Sequence, residues 1–332
     1  MKTASVLLCV WVAATATGAI AQNSSADGTF PAWAYPWDPD FKVPPADDTP
    51  QKLPGTSASY SWAQARDLFV APDWHPGGRP AMPDIVARGR KPDVRACGSC
   101  HRVEGTGGPE NAGLAGQPVE YLVQQMRDFK SGARKFSGPQ RAAITLMLAT
   151  AKGATEDDSR AAAEYFAALK PKRVIKVIES DTIPKTYVAR LFFAKSPQGG
   201  SEPLGNRIVE MPDDVEQFEL RDSNSLFSAY VPKGSIARGE ALAKGADGKS
   251  LACAGCHGAD LRGIGPVPPI AGRSVSYLAR QLNDFRTGAR KGAWSGLMTN
   301  ATARLTDDEK SLQELMRLEL PRLGRSEEHT SE

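Results

Sequence analysis

Cysteine and histidine are scarce in this chain of 332 residues, which has five of the first and four of the second. Cys9 lies in an apolar run near the N-terminus, and the other four cysteines all fall in two short strings. These strings are Cys97-Gly98-Ser99-Cys100-His101 and Cys253-Ala254-Gly255-Cys256-His257. No thiol is therefore left for a disulfide framework of the kind that holds small secreted domains together.

A strong charge of one sign is also missing. The formal net charge is only +3, which gives no support to a nucleic acid as a partner. The apolar fraction of 41% is typical of a soluble globular protein, and the length suffices for two domains with extra segments. After the N-terminal run, no segment is long and apolar enough to span a membrane.

Residues 1–21 have the composition of a targeting signal. Lys2 precedes an apolar run over 4–14, and small residues follow up to Ala19-Ile20-Ala21, which predicts a secretory signal cut before Gln22. An uncleaved anchor is the alternative, but the run is shorter than the ~20 residues that a membrane span needs. We expect a periplasmic protein with no transmembrane anchor once the signal is removed.

Cys-x-x-Cys-His is the pattern by which c-type haem is attached covalently. The two thiols add to the haem vinyl groups, and the adjacent histidine becomes the proximal iron ligand. A single string also occurs in thioredoxin-like redox sites or as half of a zinc site, whereas two strings favour haem. The sequence predicts two covalently bound haem c groups, attached through Cys97 and Cys100 and through Cys253 and Cys256, with His101 and His257 as iron ligands.

An internal repeat surrounds the two strings. Residues 96–135 align with residues 252–291 without a gap, at a constant offset of 156, and 17 of the 40 positions are identical. We interpret these segments as two copies of one structural unit.

Each copy predicts an amphipathic helix after its string, because apolar residues recur at steps of three and four. They are Val119, Leu122, Met126 and Phe129 in the first copy and Val275, Leu278, Leu282 and Phe285 in the second. Gly132 and Gly288 are suited to a left-handed cap that ends each helix.

Basic residues cluster after both predicted helices. They are Lys130, Arg134, Lys135 and Arg141 in the first copy and Arg286, Arg290 and Lys291 in the second. One interpretation is a docking surface for an acidic redox partner, because charge complementarity speeds encounter. The other is a solvated helix end whose cations suit the helix dipole.

The sixth iron ligand distinguishes electron carriers from haem proteins that react with oxygen or peroxide. Two histidines lie outside the strings, His75 in a Pro- and Gly-rich loop and His329 among the last four residues. Neither position suits an iron ligand, so a second histidine cannot be the sixth ligand of both irons. Methionine is the alternative ligand. Met147 and Met298 occur once per copy, and each follows the histidine of its own copy by 41 to 46 residues.

The surroundings of these two methionines agree with each other. In both copies a threonine followed by acidic residues, a sound helix N-cap, comes seven or eight residues after the methionine. Met126 aligns with Leu282 and therefore occupies an ordinary apolar position. A methionine is more often core filler than ligand, but the matching context and the need for a ligand favour Met147 and Met298 as axial ligands.

With these motifs the chain resembles the class I cytochromes c, specifically the bacterial periplasmic type with two fused domains. The resemblance covers about residues 83–170 and 234–308, and implies a mainly α fold with several helices around each haem and methionine on the distal side. In this family a backbone carbonyl accepts the proximal imidazole proton. Pro268 stands at that place in the second copy, whereas the first copy has Ala112 there and Pro109 displaced.

The rest of the chain divides around the two tandem cytochrome c domains. The predicted segments are a signal peptide (1–21), a Pro- and aromatic-rich arm (22–82), domain one (83–171), an insert with short strands (172–233), domain two (234–323) and a tail (324–332). In the arm only Ser61–Val70 reads as helical, and we expect the arm to pack on domain one; the alternative is a partner-binding arm. Runs rich in Val and Ile predict the strands of the insert.

The C-terminal region departs from the family. Domain one has the expected aromatic pair, Tyr165-Phe166, in its final helix, but no aromatic residue follows Asp308 in domain two. The closing GRSEEHTSE reads like translated sequencing adaptor, so we interpret 324–332 as an artefactual tail. A natural divergent tail is the alternative.

The predicted function is transfer of single electrons between periplasmic redox partners, with no catalytic residues of the protein's own. The donor would be a dehydrogenase or a quinol-oxidising complex, and the recipient a terminal acceptor. One alternative is an electron-accepting subunit bound to a periplasmic dehydrogenase. A di-haem peroxidase is disfavoured, because it needs one haem with an open distal site and both copies have a methionine.

Overall fold

The computed structural model describes residues 32–138, 140–245 and 252–303. The predicted signal, the end of domain two and the tail over 324–332 lie outside the described residues. The helices are α1 (Trp62–Arg66), α2 (Asp84–Ala87), α3 (Cys97–His101), α4 (Val119–Ser131), α5 (Ala142–Gly153), α6 (Glu156–Ala167), α7 (Val215–Glu219), α8 (Ser235–Ala243), α9 (Cys253–His257), α10 (Val275–Arg286) and α11 (Ser295–Ala303). Within the described ranges, none of these helices has the length and apolarity that crossing a membrane requires.

Strands occur in the arm and in the insert. They are β1 (Pro50–Gln51), β2 (Tyr60–Ser61), β3 (Ile175–Glu179), β4 (Thr182–Pro184), β5 (Thr186–Ala189), β6 (Phe192–Lys195), β7 (Ser201–Pro203), β8 (Val209–Pro212) and β9 (Phe227–Val231).

The repeated amphipathic helices form as predicted. Helix α4 ends at Gly132, whose φ of 76° lies in the left-handed region, and Gly288 after α10 has a φ of 69°. A side chain with a Cβ is disfavoured in that conformation, which explains a glycine at the same place in both copies. Helix α4 packs against α5 and α6, and α10 packs against α11.

Domain one has a core of its own. Val86 from α2, Val123 from α4 and Phe166 from α6 are almost fully buried in it. Helix α6 starts at the predicted N-cap, where Thr155 and Asp158 form a reciprocal capping box. Tyr165 donates a hydrogen bond of 2.7 Å to the carbonyl of Val103, just after the first haem string. The final helix thus fixes the segment that carries the first candidate site.

The insert is a small set of sheets with one helix. Strand β9 lies in the centre of a three-stranded sheet, parallel to β3 and antiparallel to β8. The remaining strands pair as β5 with β6 and β4 with β7, both antiparallel. Helix α7 lies between β8 and β9 in the chain, and its Phe218 is buried with Phe192 and Phe227.

The arm contacts all three of the other segments. It pairs with domain one through a hydrogen bond from the Ala96 amide to the Leu68 carbonyl, as expected. Trp74, 1% exposed, donates from its indole to the carbonyl of Leu220 in the insert. Tyr35 packs in a cluster with residues of domain two and the insert. The arm therefore packs on domain one and also contacts the insert and domain two.

The two haem domains meet across a pseudo-twofold axis. Arg134 donates to Gln125 Oε1 (2.8 Å) in its own domain and to Tyr277 Oη (2.9 Å) and Gln281 Oε1 (2.7 Å) in the other. Arg290 is the residue equivalent to Arg134 at the offset of 156, and it makes the equivalent hydrogen bonds. Its acceptors are Gln281 (3.1 Å), Tyr121 (3.0 Å) and Gln125 (2.7 Å).

Backbone hydrogen bonds complete this symmetry. The amide of Lys135 donates to the carbonyl of Ala289, and the amide of Lys291 donates to the carbonyl of Ala133, both at 2.8 Å. Each arginine also lies over a ring of its own domain, Arg134 on Phe129 at 4.4 Å and Arg290 on Phe285 at 4.3 Å. One self-complementary surface, present twice in the sequence, therefore forms the contact between the domains.

Both interpretations of the basic clusters were wrong for three of their members. Arg134, Arg141 and Arg290 are only 5 to 6% exposed. Arg134 and Arg290 lie between the domains and donate to glutamine and tyrosine oxygens. Arg141 pairs with Glu110 and donates to the carbonyl of Pro36 in the arm. All three are therefore buried structural contacts that present no charge to a partner and do not cap a solvated helix end.

We expect Arg134→Ala to lower the free energy of unfolding of the haem-loaded protein by about 2–4 kcal/mol, because it leaves buried polar partners unsatisfied. Chemical denaturation followed by circular dichroism measures this change. Arg88→Ala is the control, since Arg88 forms an exposed i,i+4 pair with Asp84 and should contribute about 0.5 kcal/mol or less. Equal effects of the two substitutions would contradict the proposed importance of the buried interface.

Candidate haem sites

Each Cys-x-x-Cys-His string forms one helical turn. In α3 and α9 the cysteines are three residues apart and the histidine is four residues beyond the first cysteine, so all three side chains lie on one face. No disulfide joins these cysteines. Burial, followed in size by the neighbouring Cys100, raises the pKa of Cys97 to about 12, so this thiol is neutral.

Both histidine rings are held by a loop carbonyl eleven residues further on. His101 Nδ1 lies 2.8 Å from the carbonyl oxygen of Ala112, and His257 Nδ1 lies 2.8 Å from that of Pro268. Because a carbonyl only accepts, Nδ1 carries the proton and Nε2 retains its lone pair for a metal. In the first copy, the carbonyl that accepts the imidazole proton therefore belongs to Ala112 and not to Pro109.

Burial lowers the pKa of both imidazoles. The hydrogen bonds to Ala112 and Pro268 oppose this effect, and Arg102 adds to it at His101. The neutral form that a metal ligand requires is therefore favoured in both copies.

The loops that hold the histidines are braced by the opposite domain. Arg273 of domain two donates to the carbonyls of Gly113 (3.0 Å) and Ala115 (2.8 Å), which flank the loop of His101. Gln117, its counterpart at the offset of 156, donates to the carbonyl of Pro269 at 3.5 Å. Each histidine orientation therefore depends on contacts from both domains.

One cavity of about 970 Å³ contains both candidate sites. All eight residues predicted from the sequence line it: Cys97, Cys100, His101, Met147, Cys253, Cys256, His257 and Met298. Its other walls include Ile85, Leu122, Phe166 and Leu278. A continuous apolar cavity with a histidine Nε2 and two thiols on the same wall of each half fits a covalently held haem in each copy.

Both predicted methionine ligands lie on helices. Met147 is on α5 and Met298 on α11, and both are half-buried. These helices pack against α4 and α10, which form other walls of the cavity. Met126 also lines the cavity, as does its counterpart Leu282, so the repeat comparison remains the argument that separates Met147 from Met126. The predicted N-cap after Met298 lies outside the described residues.

Sequence reasoning missed a buried polar group between the two sites. Arg141 Nη1 lies 2.8 Å from Glu110 Oε2, both side chains line the cavity, and Arg141 lies over the ring of Tyr35. Asp284 accepts from the amide (2.8 Å) and the hydroxyl (2.6 Å) of Ser137, and burial raises the pKa of its carboxyl.

A signal in the repeat would have revealed part of this polar region. The contact between the domains is formed by polar residues that are identical at matching positions of both copies. An exposed helix face would not require such identity. These residues are Tyr121 and Tyr277, Gln125 and Gln281, and Arg134 and Arg290. Glu110 and Arg141 have no such counterparts, because Pro266 stands at the offset position of Glu110 and the segment with Arg141 differs in length between the copies.

A protein-family model described as Cytochrome c matches residues 86–170 and 236–311. Each matched range contains one of the two Cys-x-x-Cys-His helices and one of the two predicted methionine ligands.

Curated relatives agree with this match. The chain is 27% identical over 220 residues to the thiosulfate dehydrogenase electron acceptor of Thiomonas intermedia (strain K12), covering 65% of this chain and 74% of that protein. It is 27% identical over 229 residues to cytochrome c4 of Azotobacter vinelandii, covering 64% and 79%. Over 58 residues it is 38% identical to cytochrome c-554(548) of Halomonas halodenitrificans, covering 17% of this chain and 70% of that protein.

Proposed function

Because the chain belongs to the cytochrome c family and binds two covalently attached haem c groups, we propose that Cys97 and Cys100 attach one haem and Cys253 and Cys256 the other. His101 and His257 then present Nε2 to the irons. The observation that carries this proposal is the repeated geometry, in which each imidazole donates from Nδ1 to a loop carbonyl at 2.8 Å and faces one shared cavity.

Met147 and Met298 complete the two sites as distal ligands. Both line the cavity, Met147 on α5, which packs against α4, and Met298 on α11, which packs against α10. A thioether is a soft ligand that favours the reduced iron. These two methionines and the two histidines would hold the irons, and the chain would shield them from water and supply no bond-making chemistry of its own.

The chain is an electron-transfer cytochrome, as its relatives are, and the bound haems supply the one-electron redox centres. The proposed location is the periplasm, on the basis of the segment over 1–21. The proposed domain boundaries are 83–171 for domain one and 234–323 for domain two.

The proposed electron donor is a periplasmic dehydrogenase. Similarity to a thiosulfate dehydrogenase electron acceptor over 65% of the chain supports this donor class. A quinol-oxidising complex is the second candidate for the donor. The protein acts either as a free carrier or as a subunit bound stably to a dehydrogenase.

Replacing both cysteines of one string is expected to remove one haem. Cys97→Ser with Cys100→Ser, and separately Cys253→Ser with Cys256→Ser, should each lower the intact mass of the denatured protein by one haem, because each string attaches one group. Haem-stained denaturing gels should show half of the wild-type signal in both. Loss of both haems from either pair, in a protein that still folds, would contradict independent attachment.

Methionine ligation predicts that the reduced wild-type protein binds no carbon monoxide and does not turn over peroxide. Met147→Ala and Met298→Ala should each bind one carbon monoxide per chain and lose about half of the weak near-infrared band of oxidised thioether-ligated haem, since each opens one of two sites. Met126→Leu, which installs the second-copy residue, is the control and should retain both properties.

A stoichiometric carbon monoxide adduct on the wild-type protein, together with peroxide turnover, would replace the electron-carrier proposal with a peroxidase. These measurements use the full chain.

Mixing the oxidised protein with thiosulfate and a catalytic amount of thiosulfate dehydrogenase is expected to reduce both haems, visible as the sharp absorption bands of the ferrous form. Omitting either thiosulfate or the dehydrogenase is the control. Size-exclusion chromatography of the two proteins distinguishes a carrier, which elutes separately, from a bound subunit, which co-elutes. If the dehydrogenase reduces an artificial acceptor but not this protein, thiosulfate dehydrogenase is excluded as the donor.

A further inference from the structure

The residue after the proximal histidine differs between the two copies. Arg102 follows His101, whereas Gly258 follows His257 at the offset of 156. The backbone is left-handed at both positions, with φ of 67° and 88°. Glycine adopts this conformation without strain, but arginine does not. The first copy therefore holds an arginine where the shared backbone favours glycine.

Arg102 is buried and incompletely partnered. Its side chain is 1% exposed, Nη2 donates to the carbonyl of Phe218 at 2.9 Å, and its guanidinium carbon lies 4.8 Å from the centre of the Phe218 ring. Nε and Nη1 are buried without a hydrogen bond. An arginine guanidinium remains protonated in proteins, so Arg102 is charged at neutral pH.

No carboxylate within the described residues forms an ion pair with Arg102. Asp222 is already occupied by His75 Nε2 (2.9 Å), Gln217 Nε2 (2.7 Å) and the Asn224 amide (2.9 Å).

The nearest carboxylate along the chain is also engaged, because Glu104 is paired with Lys172. Arg102 therefore places a positive charge next to the first site, and no ion pair within the described residues neutralises it.

The insert creates this burial. Phe218 and the carbonyl that accepts from Arg102 both belong to α7, and Ser223 Oγ accepts from the Glu104 amide at 3.4 Å. The same aromatic residue covers Gly108, where an added Cβ would lie 3.0 Å from the Phe218 ring. The counterpart of Gly108 in the second copy is Ile264, which is 57% exposed. Of the two sites, only the first has an insert that shields a cation.

We propose that the buried guanidinium of Arg102 makes the first haem site easier to reduce than the second, so that a single electron on the protein resides mainly at the site of His101. A positive charge stabilises the added electron, and the effect is large only where water does not screen the charge. Arg134 also acts on His101, but less than Arg102 does, and the Glu110–Arg141 pair is neutral. This inference rests on the assignment of His101 and His257 as iron ligands.

The test is a spectroelectrochemical titration of the haem-loaded full chain, in which the two sites are reduced in two steps. Arg102→Gln should shift the higher-potential step downward, so that the reduced-to-oxidised ratio at that site falls roughly tenfold at a fixed potential. The lower step should stay in place. Arg102→Lys retains the charge and should keep most of the wild-type separation.

Gly258→Arg is the matched control in the second copy. The substitution imposes at a φ of 88° the same left-handed strain that Arg102 bears at 67°, and an added Cβ meets its nearest atom at 3.4 Å. Gly258 is buried, but the neighbouring Asp260 and Ile264 are exposed. A long side chain there reaches water, which screens its charge, so the second site should change by about twofold or less.

Three results would overturn the proposal: both steps unmoved in Arg102→Gln, movement of the lower step, or equal shifts in the Gln and Lys variants. Arg102→Gly, which matches the left-handed backbone and the residue of the second copy, replaces Arg102→Gln if the latter does not fold. His101→Ala tests the ligand assignment separately, because it should abolish the six-coordinate low-spin spectrum of one of the two haems. If both haems keep that spectrum the assignment fails, whereas unmoved potentials in Arg102→Gln with the assignment intact overturn only the proposal.

Discussion

Two buried arginines, Arg134 and Arg290, make the contact on which the arrangement of the whole molecule depends. Each cation is removed from water and can remain there only because glutamine and tyrosine oxygens of both domains accept its hydrogen bonds. The acceptors are placed correctly only when both copies dock around the pseudo-twofold axis. The cost of an unsatisfied guanidinium therefore disfavours other relative positions of the two domains.

The candidate sites follow from this docking. Arg273 and Gln117 reach across the interface to the loops that carry Ala112 and Pro268, and those loops fix the tautomer of His101 and His257. The two sites share one cavity for the same reason.

The arm and the insert break the symmetry that the repeat establishes. The insert covers Arg102 and Gly108 in domain one, whereas Ile264, the equivalent of Gly108 in domain two, is exposed. Trp74 of the arm fastens the insert through Leu220. Two nearly equal sites thus receive different surroundings, and a difference in electrostatic environment is the expected consequence.

The sequence by itself determined the two haem attachments, the repeat, the amphipathic helices that end at Gly132 and Gly288, and the N-cap at Thr155, because each depends on residues close together in the chain. It also predicted the eight site residues that the cavity brings together, although their ligation stays a proposal. Only the tertiary structure showed that Arg134, Arg141 and Arg290 are buried, that Ala112 supplies the first carbonyl, and that Arg102 lies under Phe218. These facts depend on contacts between residues more than a hundred positions apart or on the path of a loop, and local pattern contains no information about which distant group covers a charge.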